Sequence, residues 1–428
     1  MTKRIKDDIT AILEEVTRFY LESRDFNGIP VFELTRKFNR TDQQLADDLG
    51  SLVKQGHVGI VFGDIHPNPH IRAFPDEPID GQLAKLRTGL LAQACVYPVS
   101  DRLQTIVDRH KYEGKPYTMV LALGAPQLDF RAFDLSVLEY YRNDPRYHYK
   151  TDDINGSISV SDSYLESEKM AQSDRVVLQT FGFCYDSGLN RAVAVFIRYL
   201  SDLTPEHQQI WKSKELTGNF MLHPDYYRNS ILGDWGTKVS IFSAFLEELQ
   251  IINNMADVMA RPHLFKEDFS KNSAPREFSF LVRPTLKELN SFIHLLDKMI
   301  SDNISKDFFK NEVSTEYEET RPDGRIVIHQ KGTINILDEW LHRRFRTNDW
   351  QPINDMIACF KNIRRKRQRP AHAVDENFFD QEYFHQQREL IIEAYQSIRT
   401  LRLLFANSRG CENVPISESV RMGEIWDR

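Results

Sequence analysis

Cysteine is scarce: Cys95, Cys184, Cys359 and Cys411 are the four in 428 residues, and no two form a Cys-x-x-Cys pair. That spacing speaks against a zinc ribbon or a disulfide framework, so reduced thiols in a cytoplasmic setting are expected. No apolar run approaches the roughly 18 residues that a membrane-crossing helix needs. The cations of Met1-Thr-Lys-Arg-Ile-Lys-Asp-Asp are not followed by the apolar stretch of a secretory leader. Gly-x-Ser-x-Gly and His-Glu-x-x-His are both absent, and Gly233-Asp-Trp-Gly-Thr-Lys lacks the spacing of a phosphate loop. Net positive charge is missing as well. At a formal −7, any contact with nucleic acid has to come from a local patch.

Such a patch exists. Lys361-Asn-Ile-Arg-Arg-Lys-Arg-Gln-Arg369 holds six cations and no acid. It continues a helical pattern with apolar residues at Ile353, Met356, Ile357, Phe360 and Ile363. Arg367 takes the next place on that stripe, where the period calls for Leu or Ile. An unpaired buried charge is very costly, so this Arg must either lie beyond the core or meet an anion. Pro370 should end the helix near Gln368 or Arg369, and His372 follows two residues later.

Upstream, residues 3–24 read as an amphipathic helix, 29–38 as a second, and Thr41 as the N-cap of a third that runs to Gly56. Strand-like pieces follow at 57–62 and 70–74. Three helices and a hairpin resemble a winged helix-turn-helix, whose third helix would face DNA. Arg40, Lys54 and His57 in this region are offset by Asp42, Asp47 and Asp48, so a protein-docking role stays open beside DNA contact. His66, His70 and Asp64 look like metal ligands, but no fourth is apparent. The prolines around Asn68 suit a stiff turn instead, and no metal or other cofactor is expected.

Residues 80–260 suggest a helix at 83–94, strands at 117–123, 175–183 and 192–200, a loop at 154–173, and a long helix at 239–259. Trp211, Tyr226, Tyr227 and Trp235 are candidates for a trigger site there. From Pro284 onward four helices are predicted, at 286–309, 332–345, 351–369 and 381–407, with a hairpin around Pro322-Asp-Gly. The tail after Arg409 reads as a polar extension.

Arg367-Gln-Arg-Pro-Ala-His372, at the end of the third of these four helices, resembles the Arg-x4–6-His motif of the HEPN superfamily over roughly residues 285–407. Arg142 and His148 fit the same formula outside any bundle. The resemblance implies a metal-independent endoribonuclease, with Arg367 and His372 catalytic and two copies facing one cleft in a homodimer. It also implies toxin-like or antiviral cleavage of RNA, single-stranded RNA being the expected substrate. A His near neutral pKa moves protons at the ribose 2′-hydroxyl or the leaving oxygen, and an Arg fork stabilises phosphoryl charge. Arg364, Arg365, Lys366 and Arg369, with Arg343, Arg344 and Arg346, are the candidate nucleic-acid contacts.

The fold class expected is therefore multidomain α+β: a winged helix at 1–78, a central α+β domain at 79–270, a HEPN-like four-helix bundle at 280–410 and a polar tail at 411–428. The rival function is a non-catalytic nucleic-acid-binding regulator whose bundle serves dimerisation.

Overall fold

In the computed structural model, which describes residues 3–64, 68–72, 77–89, 91, 93–167, 170–234, 236, 238–269, 275–368 and 377–428, the chain begins with helix α1 (Lys3–Glu22). Strand β1 (Ile29–Pro30), helix α2 (Val31–Phe38) and helix α3 (Asp42–Lys54) come next. Thr41 caps α3 reciprocally. Its Oγ1 accepts from the Gln44 amide at 3.3 Å, and Gln44 Oε1 accepts from the Thr41 amide at 3.0 Å. Strand β2 (Val58–Phe62), helix α4 (Ile79–Thr88) and strand β3 (Ala94–Pro98) complete a three-stranded antiparallel sheet in the order β1-β3-β2. Ile12, Val16, Leu34, Leu45, Leu49, Ile60 and Val96 close its core.

The strand that pairs with β2 is thus β3, not the expected 70–74. Residues 70–72 lie in a turn, and 73–74 fall outside the described residues. The expected helix at 83–94 stops at Gly89, whose φ of 76° is left-handed.

Helices α5 (Ser100–Ile106) and α6 (Pro116–Ala122) lead to strand β4 (Phe130–Phe133), helix α7 (Glu139–Arg142) and strands β5 (Tyr147–Thr151) and β6 (Asn155–Val160). Helix α8 (Asp162–Leu165), strands β7 (Val177–Tyr185) and β8 (Arg191–Phe196), and helices α9 (Ile197–Ser201) and α10 (Pro205–Ser213) follow. Strand β9 (Met221–Leu222) and helix α11 (Pro224–Tyr227) come after them. The sheet runs β4-β8-β7-β6-β5, all antiparallel, with β9 also on β7. Residues 117–123, expected as strand, are helical after Pro116 at the first position of α6. The expected loop at 154–173 contains β6 and α8. The strand predicted at 192–200 bends into α9 after Phe196.

Both faces of this sheet are covered. Trp211 meets the Phe133 ring edge-on at 4.9 Å on one side; on the other, Tyr226 stacks on Phe196 at 5.5 Å. No break in the chain's packing follows residue 78. Gln127 Nε2 donates to the Phe26 carbonyl at 2.7 Å, its Oε1 accepts from the Arg72 amide at 2.9 Å, and Tyr20 donates to the Leu121 carbonyl at 2.5 Å. Residues Met1–Trp235 form one compact unit and Gly236–Arg428 a second.

The second unit opens with strand β10 (Val239–Ser240) and helix α12 (Ile241–Val258). Helix α13 (Leu286–Asp297) passes into one wider turn, Lys298–Asp302, so the expected single helix to 309 breaks there. An antiparallel hairpin of β11 (Glu316–Thr320) and β12 (Ile326–Gln330) follows. Helices α14 (Thr333–Arg344), α15 (Gln351–Gln368) and α16 (Gln381–Ala406) complete the predicted four.

The sequence reading placed α12 in a central domain, yet it packs along α16 as a fifth helix. Arg402 on α16 donates through Nε to Glu248 on α12 at 2.8 Å, with both side chains buried. The tail is not a loose extension either. Cys411 and Val420 are buried, and after helix α17 (Glu418–Met422) strand β13 (Ile425–Trp426) pairs in parallel with β10. Among the described residues, no helix is long and apolar enough to cross a membrane.

Candidate nucleic-acid interface

Helix α15 buries Ile353, Met356, Ile357, Phe360 and Ile363, a stripe that matches its helical period. Cations in its last turn, Arg365, Lys366 and Arg367, suit the negative end of the helix dipole. Arg367 meets an anion, as its place on the stripe requires. Its Nη1 donates to Asp297 Oδ2 at 2.6 Å and to Asp302 Oδ2 at 2.8 Å. Asp297, the last residue of α13, is fully buried, and Asp302 ends the wider turn. The hydrogen bonds that Arg367 donates to Asp297 and then to Asp302 raise its guanidinium above the usual range.

This corner has polar atoms to spare. Among the described residues, Asp297 Oδ1 and Ser301 Oγ are buried without a hydrogen-bond partner. Arg364 Nη1 stands 3.6 Å from the outer carboxylate, Asp302 Oδ1. Among the described residues, Nη1 alone of the Arg367 nitrogens is engaged, so Nε and Nη2 are left to bind something else. The Arg367 side chain is 28% exposed.

The other predicted contacts divide. Arg365 and Lys366 are exposed on the far side of α15. Arg343 donates to the Glu312 carbonyl at 2.7 Å and pairs with Glu339; Arg344 and Arg346 are exposed. Lys361 on α15 reaches Asp338 on α14 at 3.2 Å, as antiparallel neighbours do. Arg343 and Arg344, five and six residues past Asp338, therefore stand beside residues 355–356, about 12–18 Å from Arg364 to Arg367 at 1.5 Å of rise per residue. Next to Arg343 in the chain, the His342 and Trp350 rings stack at 4.3 Å with only 3° between their planes. Arg369 and His372 lie outside the described residues, so no distance joins His372 to Arg367.

The remaining sequence candidates resolve as follows. Asp64 pairs with Lys85 at 2.8 Å, while His66 lies outside the described residues. Among the described residues, no cluster of three or more metal-ligating side chains occurs. His148 is exposed on β5, the sheet's terminal strand, and Arg142 closes α7. Trp211 and Tyr226 are core residues, which removes two of the four candidates for a trigger site; Tyr227 is partly exposed, and Trp235 lies outside the described residues. Sequence reasoning missed Asp297 and Asp302. Its one signal was the rule that an inner-face Arg needs an anion.

Comparisons with protein-family models, with curated proteins and with solved structures found no match.

Proposed function

We propose that this chain is a metal-independent endoribonuclease of the HEPN kind, working as a homodimer on single-stranded RNA, with the first unit controlling when it acts. Arg367 carries the proposal. Its guanidinium is fixed through Nη1 and keeps two further nitrogens for a phosphate, and His372 follows five residues on in the chain. In the reaction, the ribose 2′-oxygen attacks the adjacent phosphorus and the bond to the 5′-oxygen breaks, leaving a cyclic phosphate and a 5′-hydroxyl. His372 moves the proton at one of these oxygens, and its counterpart in the second copy serves the other. Arg367 meets the charge gathering on the non-bridging oxygens. Asp302 opposes a phosphate at the same place, so RNA binding has to outweigh that repulsion. Arg364, Arg365, Lys366 and Arg369 supply the attraction. What the HEPN resemblance implies of biology, toxin-like or antiviral RNA cleavage in the cytoplasm, is proposed with it.

Incubating the purified chain with single-stranded RNA in excess chelator tests the activity. Cleavage that disappears in His372→Ala, with the fold and the dimer retained, supports it. Intact RNA throughout rejects it.

A second reading, a regulator that binds nucleic acid without cutting it, draws on the N-terminal topology. Helices α1 to α3 beside a sheet ordered β1-β3-β2 support the resemblance to a winged helix-turn-helix on which this reading rests. The exposed side of α3 carries Asp42, Gln43, Gln44 and Asp47, which grips phosphate poorly and favours a protein partner. Tight duplex-DNA binding lost on changing α3, with no RNA cleavage, would select this reading.

A further inference from the structure

The β11–β12 hairpin has two unlike edges. From Glu316 to Gln330 every residue is exposed except Val327 and His329, which are half-buried. Its base is tied down where Lys306 Nζ donates to Gln330 at 2.8 Å and Lys331 Nζ reaches Glu339 at 2.6 Å. Strand β11 shows solvent an edge bearing Glu316, Glu318 and Glu319, the kind of charge that keeps an edge from pairing. Strand β12 reads Ile-Val-Ile-His-Gln, with no acid or Lys/Arg between Arg325 and Lys331, and its outer edge has no strand partner among the described residues. Ile326 and Ile328 are each 61% exposed on one face. A two-stranded ribbon with β-branched residues left in water is marginal alone, and an uncharged edge of this kind is a pairing site.

The hydrogen-bond phase identifies which groups face outward. Arg321 N donates to Arg325 O and Lys331 N to Thr315 O, both at 2.8 Å, so the odd-numbered residues of β12 turn their amides toward β11. Antiparallel pairs alternate, which leaves the amides and carbonyls of Ile326, Ile328 and Gln330 directed away from the hairpin.

We propose that this edge pairs with the same edge of a second copy of the chain, antiparallel about Val327, making one four-stranded sheet. Ile326 then exchanges both backbone hydrogen bonds with the partner's Ile328, and Ile328 with the partner's Ile326. The four isoleucines share a face and shield one another. Charge selects this occupant and this edge. The two acidic β11 strands end up outermost, roughly 14 Å apart at the usual strand spacing, whereas joining through β11 would set glutamates against glutamates. Centring on Ile328 instead would bring Arg325 opposite the partner's Lys331; centring on Val327 avoids it. The inference stands on the hairpin and is independent of the nuclease reading.

Light scattering on the full chain tests it. Ile326→Lys with Ile328→Lys should halve the particle mass while the circular dichroism and melting temperature hold, since both side chains are exposed. As a second measurement, Val327→Cys should form an intermolecular disulfide under mild oxidation, because residues directly opposite at such a position approach to about 4.5 Å between Cα atoms. Adding Ile328→Lys should abolish that crosslink. Equal masses for the original and the double variant overturn the proposal. So does a Val327→Cys crosslink that never forms, or one that survives the addition of Ile328→Lys.

Discussion

Arg367 binds Asp297 across 2.6 Å, joining the last turn of α15 to the last residue of α13, and the carboxylate it meets is fully buried. Removing the cation strands that carboxylate, because Asp297 Oδ1 has no other partner among the described residues. Arg367→Ala should therefore cost the second unit about 3 kcal/mol in urea unfolding. Asp302→Ala, at a carboxylate 42% exposed, should cost under about 1 kcal/mol. Equal losses would show that burial of Asp297 is not what gives the pair its weight.

Glu248 and Arg402 form the most enclosed ion pair described between α12 and α16. Breaking it from one side with Glu248→Gln should destabilise by about 3 kcal/mol, whereas Glu248→Leu with Arg402→Met should recover most of that loss. Guanidinium unfolding of the original chain and the two variants measures the difference.

His207 lies in the core of the first unit, its Nδ1 2.9 Å from the Tyr141 hydroxyl, and that hydroxyl accepts from Trp211 Nε1 at 3.1 Å. Burial lowers the imidazole pKa below the usual His range, against the opposing pull of Asp174 and Glu206. The unfolded chain thus takes up this proton first as pH falls. The stability His207 contributes is complete above about pH 6.5 and declines below it, by at most about 1.4 kcal/mol per pH unit until the lowered folded-state value is passed. Subtracting the pH profile of His207→Gln from that of the original chain isolates this slope.

Burial pushes the Cys359 thiol up to about 11 and the Cys95 thiol up to about 12, and raises those of Cys184 and Cys411. At pH 8 little thiolate exists at Cys359 and Cys95, so a disulfide reagent should react with these two in the folded chain at least about a hundredfold more slowly than with free cysteine. In denaturant all four should titrate. A fast native phase would place one of them in a different environment.

Gly182 on β7 has the Tyr226 ring directly over it; a Cβ there would lie 2.1 Å from Tyr226 Cδ1. Gly182→Ala should cost about 2–3 kcal/mol by overpacking. The same change in a Tyr226→Ala background should cost much less, a coupling that a double-mutant cycle reads directly.

Local signals made some elements legible and hid others. Thr41 announces α3, and the period from Leu286 to Leu296 announces α13. Strand β3, Ala-Cys-Val-Tyr-Pro, is buried at every position and so has no alternation to read. Tyr117-Thr-Met-Val-Leu has strand-like residue types, but the context set by Pro116 and the packing of Tyr117 and Leu121 makes it helical. In β6 the alternation is present, with Gly156, Ile158 and Val160 inward, but the Ser- and Asp-rich surroundings obscure it. Val420 and Trp426 are too widely spaced for any window to show that they return to the start of their unit. At the candidate site, the need of Arg367 for an anion could be read from its place on an apolar stripe. The identity of that anion could not, since Asp297 and Asp302 belong to α13 and the wider turn after it and lie at least 65 residues earlier in the chain.

Pairing of Val239 with Ile425 and of Ser240 with Trp426 brings the two extremities of the second unit side by side. During synthesis α12 emerges long before the strand that borders its first turn. The ribosome thus holds an apolar helix awaiting its last neighbours, and a protease or chaperone that meets the nascent chain has that interval in which to act.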